Sequence, residues 1–285
     1  MFMKLDLSKG KSIALVALIY GVAAATGLFV FTRIGPRVPE LWAVFIADAV
    51  ATAIVWAAGL VLGNVSVYDP YWSVFPPVMF LIWSVYKAEW SLPVILLLVA
   101  VWLWGTRLTL NWAITFKGLA YEDWRYTKYR TTLSPALFHL TNFFGLNMMP
   151  TVLVFACMVP GFKIYESIHS VGVFTWLGFV LCVASAVIQM VADRQIHRFR
   201  AENPGKFCDV GLWKKGRHPN YFGEIQFWWG IWLMYASLEG PDLLVIAPLA
   251  MTCLFLYISI PLMEQRQLEN KPGYAEYRKR TRILI

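Results

Sequence analysis

The sequence predicts an all-α fold, a polytopic bundle of transmembrane helices with about 7–8 spans. Three observations carry that expectation. Of the 285 residues, 59% are hydrophobic and only 15% are charged, where a soluble domain carries about 25% charge. Apolar runs of about 18 residues, the length that crosses a bilayer, recur along the whole chain. The basic residues behind the net charge of +8 fall in the gaps between those runs, a positive-inside pattern rather than the footprint of a nucleic-acid binder. The mean hydropathy of +0.56 agrees.

The runs lie near 12–31, 41–62, 72–86, 91–114, 140–160, 170–192, 220–238 and 242–262. The third is short and is interrupted by Pro76-Pro77, so a kink or re-entry is expected there. With eight spans and a cytosolic N-terminus, 20 of the 25 Lys and Arg residues fall in cytosolic segments and four outside, with Arg107 inside a span. The first run ends at Phe31 without a small-residue cleavage pattern and is read as a retained span. Four scattered cysteines, Cys157, Cys182, Cys208 and Cys253, have neither metal nor disulfide spacing. No repeat or linker divides the chain, which is read as a single membrane domain, 1–285.

Several segments are more polar than a span connection requires. In Asn64–Trp72, Asp69 stands between Tyr68 and Pro70-Tyr71. It is either a helix cap or a carboxyl group kept partly protonated in an apolar setting and able to polarise a carbonyl. Lys117–Arg130 alternates charges with aromatics, as an interfacial helix does. Arg107, within an apolar run, either snorkels or faces the bundle interior. Gln189, Asp193 and Arg200 are spaced four and then seven apart, one stripe along the cytosolic end of the sixth span.

The richest stretch is Gly211–Gly230, where Lys214, Lys215, Arg217 and His218 abut a tryptophan-rich run. Pro219 suits a helix's first turn, and Asn220 and Glu224, four apart, then share a face. A carboxylate inside a span is expensive and usually functional. Free N–H groups at a helix start, beside cations, favour an anion. The reading is a phosphate-bearing cofactor bound at the cytosolic end of the C-terminal helices. No strand-embedded GxGxxG and no HExxH, paired-Cys or His-cluster motif occurs, so neither a Rossmann domain nor a metal site is expected. The basic tail after the last span, with Tyr274, Tyr277 and Arg278, either binds anionic lipid or folds back over Arg217–Asn220.

In this order the residues resemble the steroid 5-alpha-reductase superfamily, in its bacterial membrane branch. The matching elements are Asp69-Pro70-Tyr71-Trp72-Ser73, Glu122-Asp123 with Arg125-Tyr126, and Gly211-Leu212-Trp213. They continue with Arg217-His218-Pro219-Asn220-Tyr221-Phe222-Gly223-Glu224, then Pro261 with Glu264, and Tyr274 with Arg278. The resemblance covers 64–285, is strongest over 189–285, and leaves 1–62 as variable N-terminal spans. It implies NADPH-dependent reduction of an activated C=C bond in a lipid-soluble, steroid- or isoprenoid-like enone, in the bacterial inner membrane with the cofactor side cytosolic. It assigns the cofactor to Gln189, Asp193, Arg200, Asn220, Glu224 and Arg278, with Arg217, His218, Tyr221 and Tyr274 of the same stretches read beside them. It assigns the carbonyl side to Asp69, where Tyr68, Tyr71 or Tyr86 supplies the acid unless the substrate is not a 3-keto-4-ene steroid. The family's polarising tyrosine is matched by Trp104, which cannot act as an acid. The competing class is an S-adenosylmethionine-dependent membrane methyltransferase of the isoprenylcysteine or phospholipid type. That class carries a similar RHPxYxG stretch and expects a second Glu beside Glu264, where Gln265 stands.

Overall fold

The computed structural model describes residues 7–285; residues 1–6 of the N-terminal segment lie outside the described residues. Every regular element among the described residues is helical: α1 (Lys9–Ile34), α2 (Glu40–Leu62), α3 (Tyr71–Lys87), α4 (Leu92–Thr115), α5 (Trp124–Thr132), α6 (Pro135–Leu140), α7 (Met149–Ile164), α8 (Val173–Glu202), α9 (Leu212–Lys215), α10 (Pro219–Glu239), α11 (Ile246–Leu254), α12 (Ile260–Asn270) and α13 (Tyr274–Arg280). A π-helical stretch, Thr141–Met148, joins α6 to α7, and a second, Phe255–Ser259, joins α11 to α12.

Six helical stretches are long and apolar enough to cross a membrane, which makes this an integral membrane protein: Lys9–Arg37, Glu40–Leu62, Leu92–Thr115, Pro135–Ile164, Val173–Glu202 and Leu243–Asn270. The other two expected spans also form helices. The third, α3, has 17 residues, about 26 Å of helix, less than the roughly 30 Å hydrocarbon thickness. It remains helical through Pro76 and Pro77. The other, α10, has the length, but Asn220, Glu224, Gln226 and several indoles dilute its apolar character.

The chain falls into two compact units, one formed by Met1–Val78 with Leu108–Ala156, the other by Met79–Arg107 with Cys157–Ile285. In the first unit α1 and α2 meet along small residues: Ala23 and Gly27 face Ala47 and Ala51, and a Cβ at Gly27 would stand 3.1 Å from the Ala47 carbonyl oxygen. Lipid competes for large apolar surfaces as well as another helix does, so close backbone approach decides such contacts. At the end of α2, Gly63 takes the left-handed conformation, φ 63°, and turns the chain back. Val65–Tyr68 is then buried along α2. Tyr71, the first residue of α3, consequently reaches Asp48, 14 positions before the end of α2. The chain thus turns back before α3 begins, whereas α3 itself runs unbroken through the two prolines where a kink or re-entry was expected.

In the second unit the principal contact is between α8 and α10. Gly178, Cys182, Ser185 and Gln189 recur at spacings of four, three and four on α8 and face Gly223, Gly230 and Met234 of α10. A Cβ at Gly230 would stand 2.5 Å from the Cys182 sulphur and 2.9 Å from the Gly178 carbonyl oxygen. The two helices are thereby held in register beside the basic loop Asn203–His218.

Candidate functional site

The stripe read on the sixth span lies on α8, where Gln189 and Asp193 are buried and Arg200 is exposed. Asp193 takes a 2.6 Å ion pair from Arg107 Nη1 of α4, so Arg107 faces the interior of its unit. Arg107 Nε and Gln189 Nε2 are both buried with no hydrogen-bond partner among the described residues. Arg200 is within electrostatic reach of Asp193 and Arg266.

Pro219 does open α10, in the first-turn position that needs no N–H. Glu224, one turn in and 4% exposed, accepts a hydrogen bond on each carboxylate oxygen, from Trp104 Nε1 at 2.9 Å and Trp228 Nε1 at 3.1 Å. Trp104 is locked in turn by stacking on Phe227, centroids 4.8 Å apart at 10°. The residue that cannot serve as an acid thus fixes the carboxylate of Glu224. Asn220 is half-buried, its side-chain oxygen accepting from Tyr221 N at 3.1 Å. Tyr221 stacks on His218, centroids 5.3 Å apart.

The tail does fold back. Arg217 N donates to Arg282 O at 2.9 Å and His218 N to Ile283 O at 3.1 Å. Glu264 of α12 gathers the surrounding cations: Arg217 Nε at 2.6 Å, Arg278 Nε at 2.9 Å and His218 Nε2 at 3.3 Å. Arg217 Nη1 also donates to the carbonyl oxygens of Arg278, at 2.9 Å, and Thr281. Tyr274 is buried beside this cluster, and burial pushes its phenol up to about 12. Two of the expected phosphate ligands, Arg217 and Arg278, therefore already share a protein carboxylate. Arg278 keeps half of its side chain exposed.

In the first unit the Asp69 carboxylate is met by side chains. Tyr126 of α5 donates its hydroxyl to Oδ1, and Arg125 Nη2 stands 3.9 Å away. Tyr68 hydrogen-bonds Thr151 at 2.7 Å, and Tyr71 donates to Asp48 at 2.8 Å. The Lys117–Arg130 segment is helical only from Trp124, capped by Asp123, whose carboxylate accepts from Arg125 N at 3.0 Å. The two expected groups thus belong to different units: Asp69, Tyr68 and Tyr71 to the first, the cofactor-side residues to the second. Asp48, Thr52 and Thr151 went unread in the sequence, although a carboxylate eight residues into an apolar run is itself a signal.

Burial raises the Asp69 pKa from 3.8 to about 6, with Arg125 and the Tyr126 hydroxyl pulling the other way. Between roughly pH 4 and 6 the folded chain holds a proton that the unfolded chain has released, so stability falls as pH rises through that window. A shift of about two units corresponds to about 3 kcal/mol. Wild type should lose about that much relative to Asp69→Asn between pH 4 and pH 7. Equal losses in denaturant unfolding of the two proteins would refute the assignment.

A family described as "Protein of unknown function (DUF1295)" matches residues 55–281. An uncharacterized protein of Schizosaccharomyces pombe is 22% identical over 256 residues, covering 79% of this chain and 73% of that protein. No solved structure matches. The family match takes in Asp69, both tryptophans that hold Glu224, and the Glu264 cluster, and the chain belongs to the DUF1295 family.

Proposed function

We propose that the protein is a membrane-embedded, NADPH-dependent reductase of an activated C=C bond in a lipid-soluble enone. One observation carries the reading: Gln189 Nε2–H and Arg107 Nε–H are buried donors without acceptors, beside the buried acids Asp193 and Glu224. Leaving such a donor unpaired costs about 1–3 kcal/mol, so a pair of them favours a ligand rich in acceptors. The family's association with steroid 5-alpha-reductase-like proteins points the same way.

Gln189, Asn220 and Glu224 would hold the amide end of NADPH, with Arg200 and the exposed part of Arg278 toward its phosphates. When bound, NADPH supplies the hydride that, with a proton, saturates the C=C bond. Glu224, fixed by two indoles, is a preorganised acceptor that needs no reorientation. Asp69 is assigned the proton, since its raised pKa keeps much of the group protonated near pH 6. A lipid-soluble substrate enters from the bilayer, whereas a polyanionic cofactor comes from the aqueous side.

The methyltransferase reading retains one specific support: Glu264 neutralises Arg217 and Arg278, and S-adenosylmethionine has no phosphate for them to bind. Calorimetry of the detergent-purified protein with NADPH, NADH and S-adenosylmethionine separates the two. NADPH should bind, and Asn220→Ala should weaken it at least tenfold with the unfolding midpoint unchanged. Binding of S-adenosylmethionine alone would transfer the protein to the rival class.

A further inference from the structure

The first unit holds a buried carboxyl group that the proposed reaction does not use. Asp48, 1% exposed, sits within α2, and no guanidinium or ammonium of a described residue pairs with it. Its partner is the Tyr71 hydroxyl of α3, which donates to Oδ1 at 2.8 Å. Thr52, one turn along α2, is within hydrogen-bonding reach of that same hydroxyl. Thr52 Oγ1 lies 2.9 Å from Thr151 Oγ1 of α7, and Thr151 Oγ1 lies 2.7 Å from the Tyr68 hydroxyl. Tyr68 precedes Asp69, within electrostatic reach of it, and the Asp69 carboxylate carries the Tyr126 hydroxyl with Arg125 beside it. Tyr20 of α1 closes the cluster edge-on to Tyr71, but its hydroxyl is committed to Val67 O at 2.6 Å.

Four consecutive hydroxyls thus lead from the neighbour of the partly exposed Asp69 to the buried Asp48. We propose that Tyr68, Thr151, Thr52 and Tyr71 form a proton path ending at Asp48, with Thr151 as its gate.

The gating follows from valence. A threonine has one O–H and two lone pairs. At rest Thr151 donates to Asn147 O at 3.0 Å, so it can only accept from Thr52 and Tyr68, and the chain is interrupted there. Turning that O–H from Asn147 toward Thr52, and the Thr52 O–H from Thr151 toward Tyr71, aligns every donor in one direction. Tyr68 then donates to Thr151, Thr151 to Thr52, Thr52 to Tyr71, and Tyr71 to Asp48. Transfer along this line gives each hydroxyl oxygen one proton and takes one away. Asp48 gains one proton and Tyr68 gives one up; the replacement comes from water by way of Asp69, whose side chain is partly exposed and within electrostatic reach of Tyr68. The path requires no cofactor and does not rest on the reductase reading. Should that reading hold, the path would also restore the proton that Asp69 spends.

The test is infrared spectroscopy of the full-length protein in detergent during transfer from H2O to D2O. The carboxylic-acid C=O band absent from Asp48→Asn identifies the Asp48 proton. Its shift in D2O reports exchange. Thr151→Val should slow that exchange at least tenfold, Thr52→Val should do the same, and Thr151→Ser should restore the wild-type rate. Circular dichroism and unfolding midpoints establish that each variant is folded, and Tyr68→Phe replaces Thr151→Val should the latter fail to fold. The proposal is overturned by the lack of any carboxylic-acid band dependent on Asp48. Equal exchange rates in wild type and folded Thr151→Val or Tyr68→Phe would overturn it too.

Discussion

Glu264→Ala is expected to destabilise the folded protein by about 3–5 kcal/mol, the range for removing one partner of a buried ion pair. Arg217 is 7% exposed and would keep its charge beside neutral groups, the carbonyl oxygens of Arg278 and Thr281 and the Tyr274 phenol. Arg278 and His218 would lose the same anion, and the tail that pairs with residues 217 and 218 would lose its anchor. Glu264→Gln should recover part of the loss, because an amide oxygen still accepts from Arg217 Nε without balancing its charge. Denaturant unfolding in detergent measures both variants. Stability within 1 kcal/mol of wild type in Glu264→Ala would show that the cluster contributes little beyond surface ion pairing.

Asp193→Ala should cost a similar amount, about 3–5 kcal/mol, since it strands the buried Arg107 guanidinium, whose Nε already lacks a partner. Arg107→Leu with Asp193→Leu should be less destabilised than either single replacement, because no unpaired charge remains. Cofactor affinity separates the structural role from the binding role. The double variant, though folded, should bind NADPH at least tenfold more weakly than wild type. A folded double variant with wild-type affinity would leave Arg107 and Asp193 as a structural pair only.

Residues close in sequence announced much of what the structure contains. Pro219 marks the start of α10, and the four-residue spacing of Gln189 and Asp193 puts both on one buried face of α8. Both depend on helical periodicity, a local property. Partners more than eighty positions apart were not legible: Trp104 donates to Glu224, and Thr151 meets both Thr52 and Tyr68. The same holds for Arg217, whose neighbouring lysines suggest a free phosphate ligand until Glu264 is found against it.

The sequence by itself determined the class, an all-helical membrane protein, and the approximate position of every long helix, though not where each ends: α8 runs on to Glu202 and the last stretch to Asn270. Hydrocarbon length and helical period impose both on any chain, residue by residue. Only the tertiary structure decided which polar groups are already satisfied. It spends Arg217 and Arg278 on Glu264, turns Gly63–Pro70 back along α2 so that Tyr71 reaches Asp48, and leaves the donors of Gln189 and Arg107 unpaired. Each outcome depends on side chains meeting across helices, and a buried hydrogen bond or ion pair is settled by that meeting rather than by either residue alone.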